Sequence, residues 1–270
     1  MIDFKKNKRV GLLAKLGRGK YDPKIVEQVR PAEPRIERAL YLRWVRAVFT
    51  LWRHRVAAHI DPGRHDQRTD ATPRALLNVD WDTLVDQSGL NDVLNKIARS
   101  LQDRNSKYFE KILSTPPPAV GEQAQRIAAF RKSNIELVKR AGHDMIADLN
   151  DTLSAANAKG LRHEEIADQI QDRIGVGERR AKLIARDQTL KYNASVQQTQ
   201  AQAIGLNEYT WSTSHDGAVR PIHKALEGTR HSYENPPMTN EDGDRNNPGE
   251  DYNCRCQAIP YVALFADLDE

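Results

Sequence analysis

The chain has 270 residues, 39% of them hydrophobic and 29% charged, with a mean hydropathy of −0.70. That length is enough for two or three compact units with a polar surface, and no apolar run approaches the roughly 20 residues that a membrane helix needs. The start, Met1-Ile2-Asp3-Phe4-Lys5-Lys6, has no apolar core of a secretory signal, the net charge is only +4, and the two cysteines, Cys254 and Cys256, are too few for a disulfide framework.

Residues 1–34 read as an extended basic arm. Lys5, Lys6, Lys8, Arg9, Lys15, Arg18 and Lys20 crowd its first part against Asp3 alone, while Gly11, Gly17 and Gly19 favour flexibility and Pro23, Pro31 and Pro34 interrupt any helix. Such an arm is attracted to DNA phosphates or to an acidic protein surface, because each contact releases counterions or forms a charge-assisted bond. A solvated tail is the plainer reading of the same residues.

Residues 35–120 predict a helical region. One helix starts near Arg35, with Ile36, Leu40, Trp44, Ala47, Leu51 and Ala58 at helical spacing, Phe49, Trp52 and Val56 widening the apolar surface, and Asp61-Pro62-Gly63 as its stop. Residues 61–80 are polar and turn-rich, and Leu90, Leu94, Ile97, Leu101, Tyr108 and Ile112 mark a second helix that ends at Pro116-Pro117-Pro118. Residues 121–205 predict a long-helix region. Ile127, Phe130, Val138, Ala141, Met145, Leu149 and Leu153 keep the helical period up to a cap at Gly160. A short helix over Leu161 to Ile174 is expected to close at Gly175-Val176-Gly177, and another to run from Glu178 to Ile204. That pair superficially suggests a DNA-binding helix-turn-helix, but the second helix is far too long for a recognition helix.

Residues 206–270 change character and predict a small α+β module. Leu206 to Ser212 alternates as a strand, with Asn207, Tyr209 and Trp211 on one face, and a helical turn falls between Val219 and Leu226. A long polar loop runs from Gly228 to Asn253, and Cys256 to Val262 forms a closing strand that Pro260 confines to an edge. Loops of that length are uncommon unless functional or tied down by a ligand or partner.

The polar residues of this module, His215, Asp216, Arg220, His223, His231, Cys254, Arg255 and Cys256, admit three readings. As a metal site, His223, His231, Cys254 and Cys256 supply thiolate and imidazole, the ligands zinc prefers, although Cys-x-Cys is not the usual Cys-x-x-Cys knuckle. As a catalytic site, Asp216 and His223 would polarise a nucleophile, with Cys254 or Cys256 to attack, or Asp242, Asp244, Asn246 and Glu250 would supply oxygens to a divalent ion for phosphodiester cleavage. No hydrolase signature surrounds them, and Asp242-x-Asp244-x-Asn246 fails as a calcium loop because Asn247 stands where glycine is required. The structural reading is favoured: Asp216 and Arg220 pair four residues apart, arginines bond loop carbonyls, and the cysteines are small buried hydrophobes.

Three separated stretches carry a family resemblance. Ala185-Arg186-Asp187-Gln188-Thr189 with Asn193-Ala194 is similar to a helix built on A-R-T-E…N. Trp211 to Gly228 follows W-x-T-x-x-D-x-x-V-R-x-x-H-x-x-L-x-G, and Pro248-Gly249 leads into Cys254-Arg255-Cys256. In this pattern, over about residues 160–262, the chain resembles the Mu F-like phage head-morphogenesis proteins, the minor head proteins. Asp187-Gln188 departs from the family's Thr-Glu, which puts any role of that glutamate in doubt.

The resemblance implies a non-enzymatic minor capsid protein of the virion. It would reside inside the head near the portal vertex, after assembly in the host cytoplasm. Its implied partners are the portal protein, major capsid or scaffold protein, and genomic double-stranded DNA, with no membrane involved, and it would assist head morphogenesis or genome delivery. The structural core of the motif would be Trp211, Asp216, Arg220, His223, Gly228, Pro248, Gly249, Cys254, Arg255 and Cys256. A metal-dependent nuclease, or another DNA-processing virion enzyme, is the alternative; a free-standing DNA-binding regulator is a further rival. The expected fold is mainly α, an elongated helical N-terminal part behind the basic arm and a small C-terminal α+β domain. No cofactor is required, with zinc the candidate.

Overall fold

A computed structural model describes residues 29–57, 80–113, 121, 123–159 and 163–261. The basic arm residues Lys5, Lys6, Lys8, Arg9, Lys15, Arg18 and Lys20, the stop at Asp61-Pro62-Gly63 and the cap at Gly160 lie outside these. Within them the fold is mainly helical, with a small sheet near the C-terminus, as expected. The elements are α1 (Arg35–Ala57), α2 (Trp81–Gln87), α3 (Leu90–Leu113), α4 (Gln123–Ala158), α5 (His163–Ala203), β1 (Glu208–Ser212), α6 (Pro221–Ala225), β2 (Arg230–Ser232) and β3 (Gln257–Pro260). No helix among the described residues is long and apolar enough to cross a membrane.

The described residues divide into two units, one drawn from 36–57, 80–97, 125–159 and 163–188, the other from 29–35, 98–113, 121, 123–124 and 189–261. The first is all helix. In α1 the buried face is Tyr41, Trp44, Val45, Val48, Phe49 and Trp52, whereas Ile36 is 77% and Leu51 45% exposed. Of the stripe read from the sequence, Trp44 is buried and Leu40 half-buried while Ile36, Ala47 and Leu51 are exposed; the buried face is shifted toward the aromatic side, which also holds Phe49 and Trp52, because its rings bury far more area. Trp81, on the short helix α2 that the polar context concealed, sits at the centre of this core. Its ring meets Phe49 and Trp52 edge-on at 5.7 and 6.3 Å, and its Nε1 donates to the Val138 carbonyl at 3.2 Å. Asp80 caps α2 by accepting from the Thr83 amide at 3.0 Å. Two further polar ties cross this core: Tyr41 Oη donates to Asn134 Oδ1 at 3.2 Å, and Trp44 Nε1 to Ser88 Oγ at 3.0 Å.

The break expected at Gly175-Val176-Gly177 does not occur. α5 runs unbroken for 41 residues, through both glycines, so neither a short helix closing there nor a helix-turn-helix exists. Gly177 has a packing reason: a Cβ there would stand 2.3 Å from Met145 Sδ on α4. Here glycine permits close approach of two helices rather than ending one.

In the second unit β1 is the central strand, pairing antiparallel with β2 on one side and β3 on the other. β3 is an edge strand, as Pro260 requires, and Tyr209 and Trp211 share the buried face of β1. β2 lies inside the stretch expected to be loop only, because its three residues are polar and none is buried. Tyr108, Phe109 and Ile112 of α3 and Ala201 of α5 complete the core with Ile204, Tyr209, Trp211, Tyr233, Cys254, Cys256 and Ala258.

A buried polar layer fixes the two helices of this unit. Asn105 Nδ2 donates to Asn193 Oδ1 at 3.0 Å, Gln102 Nε2 to Tyr192 Oη at 3.2 Å, and Gln197 Nε2 to the Ala258 carbonyl on β3 at 2.6 Å. Each bond satisfies a group whose burial would otherwise be costly, so the layer sets register between helix and sheet.

Candidate functional site

The site forms where α6 and the residue 233–256 loop meet the end of the sheet. The chain leaves β1 through Thr213, whose amide donates to Glu227 Oε2 at 2.6 Å, and through His215, which takes a positive φ of 53°. Asp216 then makes a tight turn by accepting from the Ala218 amide at 3.0 Å. Pro221 opens α6 at its first position, with Arg220 as the N-cap. α6 delivers His223 into the core, 2% exposed, where its ring meets Trp211 edge-on at 5.5 Å. Gly228, at φ 74°, returns the chain to β1 by donating to the Trp211 carbonyl at 2.9 Å.

The loop is tied from both ends. Asp216 does not pair with Arg220 as expected. Arg255 takes its carboxylate with both Nη atoms, at 2.6 Å through Nη2, because the loop brings Arg255 opposite Asp216. Arg220 instead donates to the Tyr252 carbonyl at 2.6 Å, so one arginine does bond the loop backbone. The Arg255 guanidinium holds the Asp216 carboxyl below its ordinary range, with the Ala218 amide adding to it. Gly249, at φ 91°, lies where a Cβ would stand 2.8 Å from Ala194 Cβ on α5. Ala194 and Gly249, far apart in sequence, thus pack against each other.

At the centre, His223 Nδ1 faces Cys254 Sγ at 3.6 Å and Cys256 Sγ at 3.5 Å. On the other side of the ring, Nε2 stands 3.0 Å from Asp251 Oδ2, within ion-pairing reach but off the axis of a good hydrogen bond. Asn246 Nδ2 holds the other Asp251 oxygen at 2.7 Å. Both sulfurs are buried, with Cys254 4% and Cys256 7% exposed. The Cys254 thiol is pulled down to about 5, first by the hydrogen bond with Cys256, then by His223 and by the Cys256 and Gly249 amides. Cys256 moves up, because Cys254 beside it and burial both disfavour a second negative charge. His223 is raised, chiefly by Cys254.

Of the four ligands read from the sequence, three come together: one atom each of His223, Cys254 and Cys256 lies within 4.8 Å of the others. His231 does not join them. It stands on β2 with Nε2 2.8 Å from Thr229 Oγ1 and its ring 6.0 Å from that of Tyr209, because strand pairing aims it elsewhere. Asp251, Gln197 and Asn105 were missed, and Asn246 was considered only as a cation ligand. Their roles depend on loop closure and helix packing, and no spacing in the sequence signals either. A void of about 10 Å³ beside Cys254 and Cys256 is near the size of one water probe.

Comparison with known proteins fits this geometry. Residues 147–259 match the family described as Phage Mu protein F like protein. An uncharacterized protein of Haemophilus influenzae is 35% identical over 138 residues, which is 51% of this chain and 30% of that protein's length. The chain thus spans less than a third of that relative. No solved structure matches. The matched segment carries α5, β1, β2 and the His223–Cys254–Cys256 cluster, and over it the chain is similar to the Phage Mu protein F like family.

Proposed function

We propose that this protein is a minor head protein of a tailed phage, binding the portal vertex and packaged DNA inside the head and assisting head morphogenesis or genome delivery by docking rather than catalysis. The observation that carries the reading is the family match over residues 147–259, across the stretch where the motif side chains tie down a loop. Asp216, Arg220 and Arg255 are spent on internal bonds, and His223 and both thiols are buried. A nuclease would need a carboxylate or histidine cluster open to a metal and a phosphodiester. Asn246 and Glu250, two of the loop residues considered for that role, instead bond Asp251 and the Asn247 amide.

The test is to purify particles of the phage that encodes the chain and measure its copy number against the portal protein. A low, fixed copy number, with loss of infectious particles when the gene is deleted, is expected. Absence from purified particles, or normal assembly and infection without the gene, overturns the reading.

A further inference from the structure

The core of the C-terminal unit holds one cluster that hydrogen bonding alone leaves incomplete. An imidazole nitrogen has a single in-plane position, a lone pair or an N–H, so it makes one good bond. His223 Nδ1 has two sulfurs in nearly equal reach, at 3.5 and 3.6 Å. Asp251 sharpens the point. Its carboxylate lies 3.0 Å from Nε2 and is itself steadied by Asn246, which favours the ring proton on Nε2 and leaves a lone pair on Nδ1 aimed at the thiols. A carboxylate that accepts from the far nitrogen orients a metal-bound ring, and a small turn of His223 toward the thiols would bring its Nε2–H into line with Asp251. The spacing agrees: with Zn–S about 2.3 Å and Zn–N about 2.0–2.1 Å, a tetrahedral ion places nitrogen and sulfur roughly 3.6 Å apart.

We propose that His223 Nδ1, Cys254 Sγ and Cys256 Sγ bind one zinc ion, that Asp251 is the positioning residue behind His223, and that the ion pins the residue 233–256 loop to α6. Binding displaces the remaining thiol protons to solvent and creates no bond beyond coordination. Among the described residues no further His, Cys, Asp or Glu atom joins the three, so water or an outside group fills the fourth position of a tetrahedral shell. The proposal stands apart from the docking role and holds whether or not the protein is a head component.

The test uses the full chain, purified under reducing conditions, stripped with a chelator and titrated with zinc against a chromophoric competitor. A zinc-to-protein ratio near one is expected. Cys254→Ser and Cys256→Ser lower the affinity at least about 100-fold, and His231→Gln leaves it unchanged. Asp251→Asn keeps all three ligands and weakens binding by about 10–100-fold. Should the cysteine variants fail to fold, cobalt(II) added to the unaltered protein carries the test: thiolate-to-cobalt charge transfer and tetrahedral d–d bands are expected. A folded chain that takes up no zinc, a cobalt spectrum without thiolate bands, or a preference for copper(I) with no zinc binding overturns it.

Discussion

Asp216 is solvent-accessible, yet both of its oxygens are taken by Arg255, 39 positions away. The pair closes the loop against the turn that leads into α6. Because the folded carboxyl titrates below its ordinary value, the pair's contribution is present above the unfolded carboxyl range, about 3.9, and is lost as pH falls through the lower folded value. Asp216→Asn should therefore lower Tm at neutral pH and flatten the acid limb, so that the two Tm-against-pH curves converge below that range. Parallel curves would remove the pair from any role in stability. Gly249 is a second test at this scale. An alanine there must adopt φ 91° and place Cβ 2.8 Å from Ala194 Cβ. Backbone strain and overpacking each cost about 1–3 kcal/mol, so Gly249→Ala should lose about 2 kcal/mol or more in denaturant unfolding. Adding Ala194→Gly relieves the clash and leaves the strain, so the double variant should recover only part of the loss.

The helices show what periodicity can and cannot reveal. Leu90 to Ile112 and Phe130 to Leu153 were legible as helices because their apolar residues recur at helical spacing over many turns. The face of α1 was misread because a count of apolar positions weights Ile36 like Trp52, while packing weights them by area. The glycines of α5 were misread because a glycine that ends a helix and one that admits a neighbour look alike in sequence. α2 and β2 are too short, and β2 too polar, for any periodic signal. The cysteines, His223 and the Asp216–Arg255 residues were visible as a concentration of polar side chains. Asp251, Gln197 and the role of Asn246 were not, because the partners come from loop closure and packing. Alanine substitution separates the kinds of helical glycine. A Cβ at Gly175 meets only Arg179 Nη1 at 3.5 Å, so the helix-propensity gain of about 1 kcal/mol should appear and Tm should rise. At Gly177 the flexible Met145 must move, which should cancel most of that gain. At Gly142 the Cβ would lie 1.9 Å from Trp81 Nε1, on a ring only 2% exposed. There the overpacking cost of about 1–3 kcal/mol or more should reverse the sign. A Gly142→Ala variant as stable as the parent would show that Trp81 is not the fixed centre of that unit.

The net charge of the whole chain, +4, is smaller than the excess carried by its first twenty residues, where Lys5, Lys6, Lys8, Arg9, Lys15, Arg18 and Lys20 face only Asp3. The remainder is slightly acidic by formal count and would be weakly repelled by DNA. Any sequence-independent affinity for duplex DNA should then reside in the arm. If its cations neutralise six or seven phosphates, log K should fall against log salt with a slope of about −5 to −6, and affinity should drop about a thousandfold between roughly 50 and 200 mM salt. Deleting residues 1–20 should abolish both the binding and its slope while leaving the Tm of the folded units unchanged, because the DNA contacts assigned to the arm require none of their core. The deletion also distinguishes the two partners such an arm suits. Loss of DNA binding with retained association to purified heads assigns the arm to the genome and the docking to the folded part. Loss of head association with DNA affinity intact assigns it to an acidic protein surface. A deletion that changes neither over a full salt titration leaves the lysine cluster as a solvated tail, and the DNA-binding part of the proposed function fails with it.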